Sequence, residues 1–381
     1  MTRLPGLDVL RAIAVTWVMT FHAYLVWDIS DGVRPYWQFG WMGVDLFFVL
    51  SGYLIGSQVF EPLARGEPMA LGRFYLRRAF RTFPAYLTVL ALYAWWPAFR
   101  EAPGMQPVWQ FMTYTMNLLI EDPDRIAFSH AWSLCVEEHF YVLFPVLAWI
   151  LARRSSMSTT VTAFLLVWLG GMALRTLIWL HTMQPLQDTD MAGFNRAFLQ
   201  YIYRPSYSRL DGLLAGVALA SIAAWRPAWW SWLRTRSHAI GWLGMALLAM
   251  SMAVFTDRTG LLATSIGYPL LSLALALLVC AATGDNWLAR CQVPGARWLA
   301  ATSYSLYLSH KAIFHLVHQA LASWPRIQGM AALACYVLAT LAGGALLYYL
   351  IERPFLRLRD AWMRRSMQNQ TEPPAGQTVP G

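Results

Sequence analysis

An arginine and a histidine lie eleven residues apart in the first apolar segment of this 381-residue chain, at Arg11 and His22. In an α-helix that separation is three turns and about 20°, so both side chains would lie on one face, about 16 Å apart along the axis. An imidazole at that depth could take a proton from a hydroxyl group, with the arginine as a cation near the mouth of a channel. A single histidine in an apolar helix is more often a packing residue, so both interpretations stay open.

Ionisable side chains also occur in other apolar segments. Such groups are costly at membrane depth, so each needs a partner or a function. Three acids and three bases could simply pair and hold helices together. However, if the segments are helices that cross a core about 30 Å thick, four side chains share one layer roughly 9–12 Å below one surface, as a buried reaction centre would require. Those four are His22, Asp45, Glu137 and His310, and the others are Arg11, Glu138, His139, Arg175, Lys311, His315 and His318.

A group of four arginines comes just before the third apolar run. Arg73, Arg77 and Arg81 follow one another at four-residue steps, and Arg78 precedes Arg81 by three residues. A helix would therefore present several guanidinium groups close together. This arrangement suits bidentate contacts with phosphate, and it equally suits a juxtamembrane anchor on anionic lipid. The spacing alone does not separate these two uses.

The elements that position these side chains must lie in a membrane, because 57% of the residues are hydrophobic and only 13% are charged, whereas soluble proteins have about 25% charged residues. The hydrophobic residues come in runs of about 16–24, long enough to cross a bilayer as a helix. The sequence thus predicts an all-α polytopic membrane helix bundle with about ten transmembrane helices. A shorter run, 108–120, is predicted to be interfacial or re-entrant. The ten runs are about 9–29, 39–60, 83–99, 131–151, 160–180, 210–225, 239–255, 261–282, 298–321 and 329–351.

The basic residues predict how the bundle is oriented. With the N-terminus inside, 18 of the 29 Lys and Arg residues fall in cytoplasmic segments and 8 in outer segments. By the positive-inside rule both termini are then cytoplasmic, and the net charge of +9 is mainly a topology signal. No basic pattern indicates a nucleic-acid partner, and the four cysteines lack metal-site or disulfide spacing, so no metal is predicted. The first run is expected to be a retained span.

Seven blocks, in order, resemble the acyltransferase-3 family of membrane acyltransferases, over about residues 1–355. Arg11 and His22, with ten residues between them, are similar to the family's Arg-x10-His motif. The most specific local match is 43–55, which resembles the second-span signature. The other five blocks are 78–81, similar to an Arg-x-x-Arg pair, 132–141, 209–216, 303–310 and 351–354.

The resemblance implies transfer of an acyl group, usually acetyl, from cytoplasmic acyl-CoA to a hydroxyl of a glycan or other acceptor at or beyond the membrane. Acetyl-CoA would be the donor substrate, and the protein would be a multi-pass component of the cell inner membrane, in contact with membrane lipid. The acceptor would be a surface or exopolysaccharide sugar or a lipid-linked glycan. Residues 1–355 would form the acyltransferase domain, and 356–381 a cytoplasmic basic segment with a disordered tail from 368.

The resemblance also assigns roles to individual residues. Arg11 and His22 would be the catalytic pair, and Glu137 with Glu138 would lie in or beside the centre. Asp45 or Glu137 would orient the imidazole and stabilise its charged form, with Arg175 or Lys311 balancing their charge. His310 shares the layer and joins the candidate catalytic set. The CoA phosphates would be held by Arg78 and Arg81, with Arg73 and Arg77 in the same cluster.

Two departures from the family pattern concern the acceptor. His139 stands where the family usually has Gln, and Lys311 follows His310 where an aromatic residue is common. The chain also stops soon after its last span, so no fused extracytoplasmic esterase-like domain is expected, and a separate extracytoplasmic partner could take its place. The alternative function is a proton-coupled secondary transporter or exporter, because a buried layer of His, Asp and Glu also describes a proton pathway.

Overall fold

A computed structural model describes residues 4–26, 37–120, 124–154, 157–324 and 326–371. In these ranges the chain is helical and forms no β-strand, apart from a single bridge between Met105 and Ala127. The α-helices of the described part are α1 (Pro5–Val26), α2 (Met42–Ala64), α3 (Leu71–Trp95), α4 (Val108–Met112), α5 (Trp132–Arg154), α6 (Met157–Ile178), α7 (Met191–Ala197), α8 (Asp211–Trp225), α9 (Pro227–Thr235), α10 (Ser237–Val254), α11 (Tyr268–Ala282), α12 (Trp287–Arg290), α13 (Ala296–Ala322), α14 (Gly329–Leu347) and α15 (Arg353–Thr371).

Each of the ten predicted runs falls on one of these helices. Six helical segments of the described chain are long and apolar enough to cross a membrane by themselves, and they contain α2, α5, α6, α10, α11 and α14. The other four runs fall on α1, α3, α8 and α13, which are shorter or carry more polar side chains. The chain is therefore an all-α polytopic membrane protein. The shorter run 108–120 forms the single-turn helix α4 and non-helical backbone.

Helix α2 is at the centre of the bundle, where α1 and α8 pack closely on it. Glycines make this contact possible, because a Cβ atom at Gly52 would collide with the backbone of Leu213 on α8. In the same way, a Cβ atom at Gly216 would collide with the backbone of Val49 on α2. Small residues allow such backbone approach in membrane helices, so these two glycines fix how α8 sits on α2.

Two buried ion pairs link the helices in this central part of the bundle. Arg209 donates to both carboxylate oxygens of Asp45 on α2, at 2.8 and 2.9 Å. Arg175 on α6 donates to both oxygens of Asp211 on α8, at 2.8 and 3.1 Å. Because each charge is buried with its partner, these pairs hold helices together, and removing one member would leave an uncompensated charge. Asp45 and Arg175 thus form ion pairs of the kind that the sequence analysis gave as the alternative to a reaction centre.

Short π-helical segments interrupt the α-helices at several positions, two of which bear on the candidate site. Phe198–Tyr203 precedes Arg204, and Tyr348–Glu352 joins α14 to α15. Such segments often mark functional positions, because the extra residue changes the direction of nearby side chains. Helix α15 continues to Thr371, so residues 368–371 of the predicted disordered tail are helical. Residues 372–381 lie outside the described residues.

Candidate active site: two cavities on either side of Tyr307

Three arginines from two helices line a cavity of about 110 Å³, which we call the arginine cavity. Arg11 comes from α1, and Arg78 and Arg81 come from successive turns of α3. Glu137 and Tyr141, one turn apart on α5, form the facing wall. The predicted Arg-x-x-Arg pair and the arginine of the Arg-x10-His pair therefore share one cavity.

The carboxylate of Glu137 is held by two hydroxyl groups in this wall. It accepts from Ser51 at 2.8 Å and from Tyr141 at 2.9 Å. The Arg78 guanidinium lies 3.7 Å from the centre of the Tyr141 ring, a cation–π contact that supports its position. Glu138, the next residue, faces Thr82 and Arg78. Both glutamates therefore face the arginines.

Arg81 is oriented by a carboxylate from the π-helical segment before α15. Its guanidinium lies 2.7 Å from Glu352, whose other oxygen accepts from Ser305 at 2.6 Å. Glu352 is buried, whereas 29% of the Arg81 side chain is exposed. Arg73 and Arg77, the other two members of the predicted cluster, do not line this cavity. Of the four arginines of α3, the structure brings two into the cavity.

A second cavity, of about 550 Å³, is lined by several of the predicted histidines, although not by His310, and is called the histidine cavity. His22 lines it from the C-terminal half of α1, and Lys311 lines it from α13. Lys311 is paired with Glu101 at 2.8 Å, so it does not balance Asp45 or Glu137 as the sequence analysis expected. His315 and His318 also line this cavity.

His22 and His310 form a hydrogen-bonded pair at the wall of the histidine cavity. His310 Nδ1 lies 2.7 Å from the carbonyl oxygen of Tyr307, and His310 Nε2 lies 2.9 Å from His22 Nδ1. A carbonyl oxygen can only accept, so His310 Nδ1 carries a proton, and in the neutral ring Nε2 is then an acceptor. His22 Nδ1 also lies 3.1 Å from the carbonyl oxygen of Val18 and is the donor to both. This tautomer leaves the lone pair of His22 on Nε2.

The structure adds His130 to this group, which the sequence analysis did not select. Its ring centre lies 5.1 Å from that of His310 and 6.4 Å from that of His22. His130 Nε2 lies 3.1 Å from the carbonyl oxygen of Leu308, and its buried Nδ1 has no hydrogen-bond partner within the described chain. The residue falls one position before the predicted span 131–151. Its place two residues before the 132–141 block was the signal that could have found it.

The two cavities share a wall formed by Val44 and Tyr307, which line both of them. The Tyr307 hydroxyl donates to the carbonyl oxygen of His130 at 3.0 Å and lies 2.6 Å from Ser133 Oγ. Arg11 and His22 were predicted to lie along one channel. They line different cavities, on opposite sides of this wall.

Two expectations about the predicted layer differ from the structure. Neither Asp45 nor Glu137 hydrogen-bonds His22, because Asp45 binds Arg209 and Glu137 binds hydroxyl groups of the arginine cavity. His310 occupies the orienting position instead. Depth along a helix carries no information about which helices face each other. His139 hydrogen-bonds Ser206 at 2.6 Å. Among the described residues, no group of three or more His, Cys, Asp or Glu side chains could hold a metal ion.

Comparison with known proteins identifies the family of the chain. The model of the acyltransferase domain of the acyltransferase-3 family matches residues 4–349. The chain belongs to the acyltransferase-3 family. The matched range contains every lining residue of both cavities. No solved structure matches the chain.

Several relatives from Staphylococcus aureus and Bacillus subtilis are named as O-acetyltransferases. "Putative O-acetyltransferase SACOL0978" of Staphylococcus aureus (strain COL) is 25% identical over 342 residues, which are 84% of this chain and 52% of the relative. "Putative peptidoglycan O-acetyltransferase YrhL" of Bacillus subtilis is 27% identical, covering 82% of this chain and 49% of that protein. "O-acetyltransferase OatA" of S. aureus is 30% identical over 59% of this chain and 35% of its own length. The chain spans about half the length of the first two.

Proposed function

We propose that this chain is a membrane O-acyltransferase that moves an acetyl group from acetyl-CoA to a hydroxyl of a glycan, with peptidoglycan among the candidate acceptors. The observation that carries the proposal is the division of the Arg-x10-His pair between two cavities with one common wall. A donor in one cavity and an acceptor in the other would meet at that wall. The names of the relatives support an acetyl group and a glycan.

The arginine cavity is the proposed donor side. Guanidinium groups form paired hydrogen bonds with phosphate oxygens, so Arg11, Arg78 and Arg81 would hold phosphates of CoA and direct the thioester toward the wall. Arg73 and Arg77 lie outside the cavity, nearer the N-terminal end of α3. They would contact the more distant phosphates. This end of the bundle carries the arginine-rich loops and is proposed to face the cytoplasm, with the protein in the inner membrane.

The histidine cavity is the proposed acceptor side. His22 Nε2 takes the proton of the acceptor hydroxyl as the oxygen attacks the thioester carbonyl carbon. The carbon–sulfur bond breaks, and the leaving CoA thiolate is neutralised by the proton that His22 Nε2 has taken. In a two-step route, the His22 Nε2 lone pair first attacks the thioester carbon and the CoA thiolate leaves; the hydroxyl oxygen then takes the acetyl group, and the freed Nε2 takes the hydroxyl proton, which neutralises the thiolate. In both routes His310 acts through His22, because together with the Val18 carbonyl it keeps the lone pair of His22 on Nε2.

The test uses purified full-length protein in detergent with radiolabelled acetyl-CoA and fragments of cell-wall glycan. The expected result is an acetyl ester on the glycan with wild-type protein and none with His22→Ala. His181→Ala, at an exposed histidine, should transfer like wild type. Label recovered on the protein without acceptor, and lost in His22→Ala, favours the two-step route. Transfer by His22→Ala at the wild-type rate refutes the assignment, and no ester under any condition favours the proton-coupled transporter.

A further inference from the structure

The histidine cavity carries more positive than negative charge. Its lining includes Arg204, Arg258 and Lys311, and the only carboxylate among the described lining residues is Glu101. That carboxylate is paired with Lys311 at 2.8 Å. The two arginines have no ion-pair partner in the described part of the chain. Within the described lining, the positive charge of these two arginines beside His22 is therefore uncompensated.

Arg258 is held in a cage of aromatic rings. Its guanidinium carbon lies 4.3 Å from the centre of the Tyr203 ring and 4.5 Å from that of Trp41. Phe198 and Phe21 are 5.6 and 5.9 Å away. The buried Nε has no hydrogen-bond partner among the described residues. The rings stabilise the cation, but they supply no acceptor for its N–H groups, and an unmet buried donor is costly.

The two fully buried arginines of the described bundle, Arg175 and Arg209, are each matched by a carboxylate. Arg209 also lies on an aromatic ring, 4.0 Å from the centre of Tyr268, yet it donates to both oxygens of Asp45. Arg175 is paired with Asp211. Arg258 has the ring contacts without a carboxylate partner among the described residues, and it lines a cavity large enough for a ligand. A ligand could therefore supply the anion that the described residues lack.

We propose that the acceptor of the histidine cavity is an anionic saccharide, whose carboxylate or phosphate binds Arg258 with support from Arg204. This inference rests on the proposed function and specifies its acceptor. Guanidinium groups bind carboxylate and phosphate in the same bidentate manner. Trp41 and Tyr203 also line this cavity, and aromatic walls are common in ligand pockets. The anion would orient the saccharide so that one hydroxyl reaches His22.

The test measures binding of small saccharides to the purified full-length protein by the shift of its thermal unfolding temperature. The probes are methyl glucuronide, its uncharged methyl ester, glucose 6-phosphate and glucose. The charged probes should bind at least about tenfold more tightly than their neutral counterparts, as expected for a hydrogen bond to a charged group. Arg258→Gln should remove this preference, and Arg258→Lys should keep part of it. Arg196→Gln, at an exposed arginine outside the cavity, should keep all of it.

Each outcome has a defined meaning. A preference for the glucuronide alone assigns a carboxylate sugar, and a preference for the phosphate alone assigns a phosphorylated one. An equal response to charged and neutral probes, including no response to either, overturns the inference. So does an Arg258→Gln protein that weakens all four probes equally, because that is a structural effect. Binding does not require acyl transfer, so a failure of this inference is distinguishable from a failure of the proposed reaction.

Discussion

His310 Nε2 lies 2.9 Å from His22 Nδ1, although 288 residues separate the two histidines in the chain. The contact joins α1 to α13. With the Val18 carbonyl, it keeps the proton of His22 on Nδ1 and the lone pair on Nε2. A carboxylate in this position would hold a proton-bearing imidazole more strongly, as in a catalytic triad. A neutral histidine leaves the pair uncharged, which suits a site within a membrane.

The first prediction concerns this pair. His310→Ala should lower kcat for acetyl transfer by about 10- to 100-fold, because the Nδ1 proton of His22 keeps only the Val18 carbonyl as acceptor and the ring is held less firmly. The KM for acetyl-CoA should change little, because His310 does not line the arginine cavity. His310→Gln should retain more activity than His310→Ala, since its amide oxygen can accept from His22. Steady-state kinetics on purified protein checks this, and equal losses in both variants would indicate a packing role only.

The second prediction concerns the donor side. Arg78→Gln should raise the KM for acetyl-CoA by about tenfold or more, because a charged hydrogen bond to phosphate contributes roughly 1.5–3 kcal/mol. Arg77→Gln, outside the cavity, should have a smaller effect. Arg65→Gln, at an exposed residue that pairs with Glu67, serves as the control and should leave the KM unchanged. A KM that responds equally to all three substitutions would argue against a specific phosphate site.

The third prediction assigns Asp45 to stability. Asp45→Asn should destabilise the bundle by about 3–5 kcal/mol, because it leaves the buried Arg209 without its counter-charge. The double variant Asp45→Asn with Arg209→Gln should lose less than the sum of the single variants. Thermal unfolding in detergent measures all three proteins. Should Asp45→Asn unfold like wild type while acetyl transfer is lost, Asp45 would return to the catalytic set.

The fourth prediction tests the contact between α2 and α8. Gly52→Ala should destabilise the protein by about 1–3 kcal/mol, because the added methyl group meets the backbone of Leu213, which cannot move alone. Gly170→Ala on α6 is the matched control, since nothing lies within 4 Å of its added Cβ. The yield of folded protein and its unfolding temperature report the difference. Equal behaviour of the two variants would mean that the helices can separate without loss.

The helices were predictable from the sequence because their signal is local. A run of apolar residues identifies a span without reference to any partner, and the spacing of Arg11 and His22 placed both on one helix. The pairings were not predictable in this way. Asp45 and Arg209 are 164 residues apart, and depth along a helix does not say which neighbour a side chain faces. Arg258 lies between two predicted spans, so it was not among the charged residues expected inside the membrane.

The wall formed by Val44 and Tyr307 has a consequence for how the membrane stays sealed. If the reaction takes place there, only a two-carbon group has to pass from one cavity to the other, while CoA and saccharide remain in their own compartments. No pore wide enough for either molecule is required, so ions and protons need not leak with each turnover. The energy of a thioester formed on one side could then drive ester formation on the other, with the bilayer's permeability barrier intact.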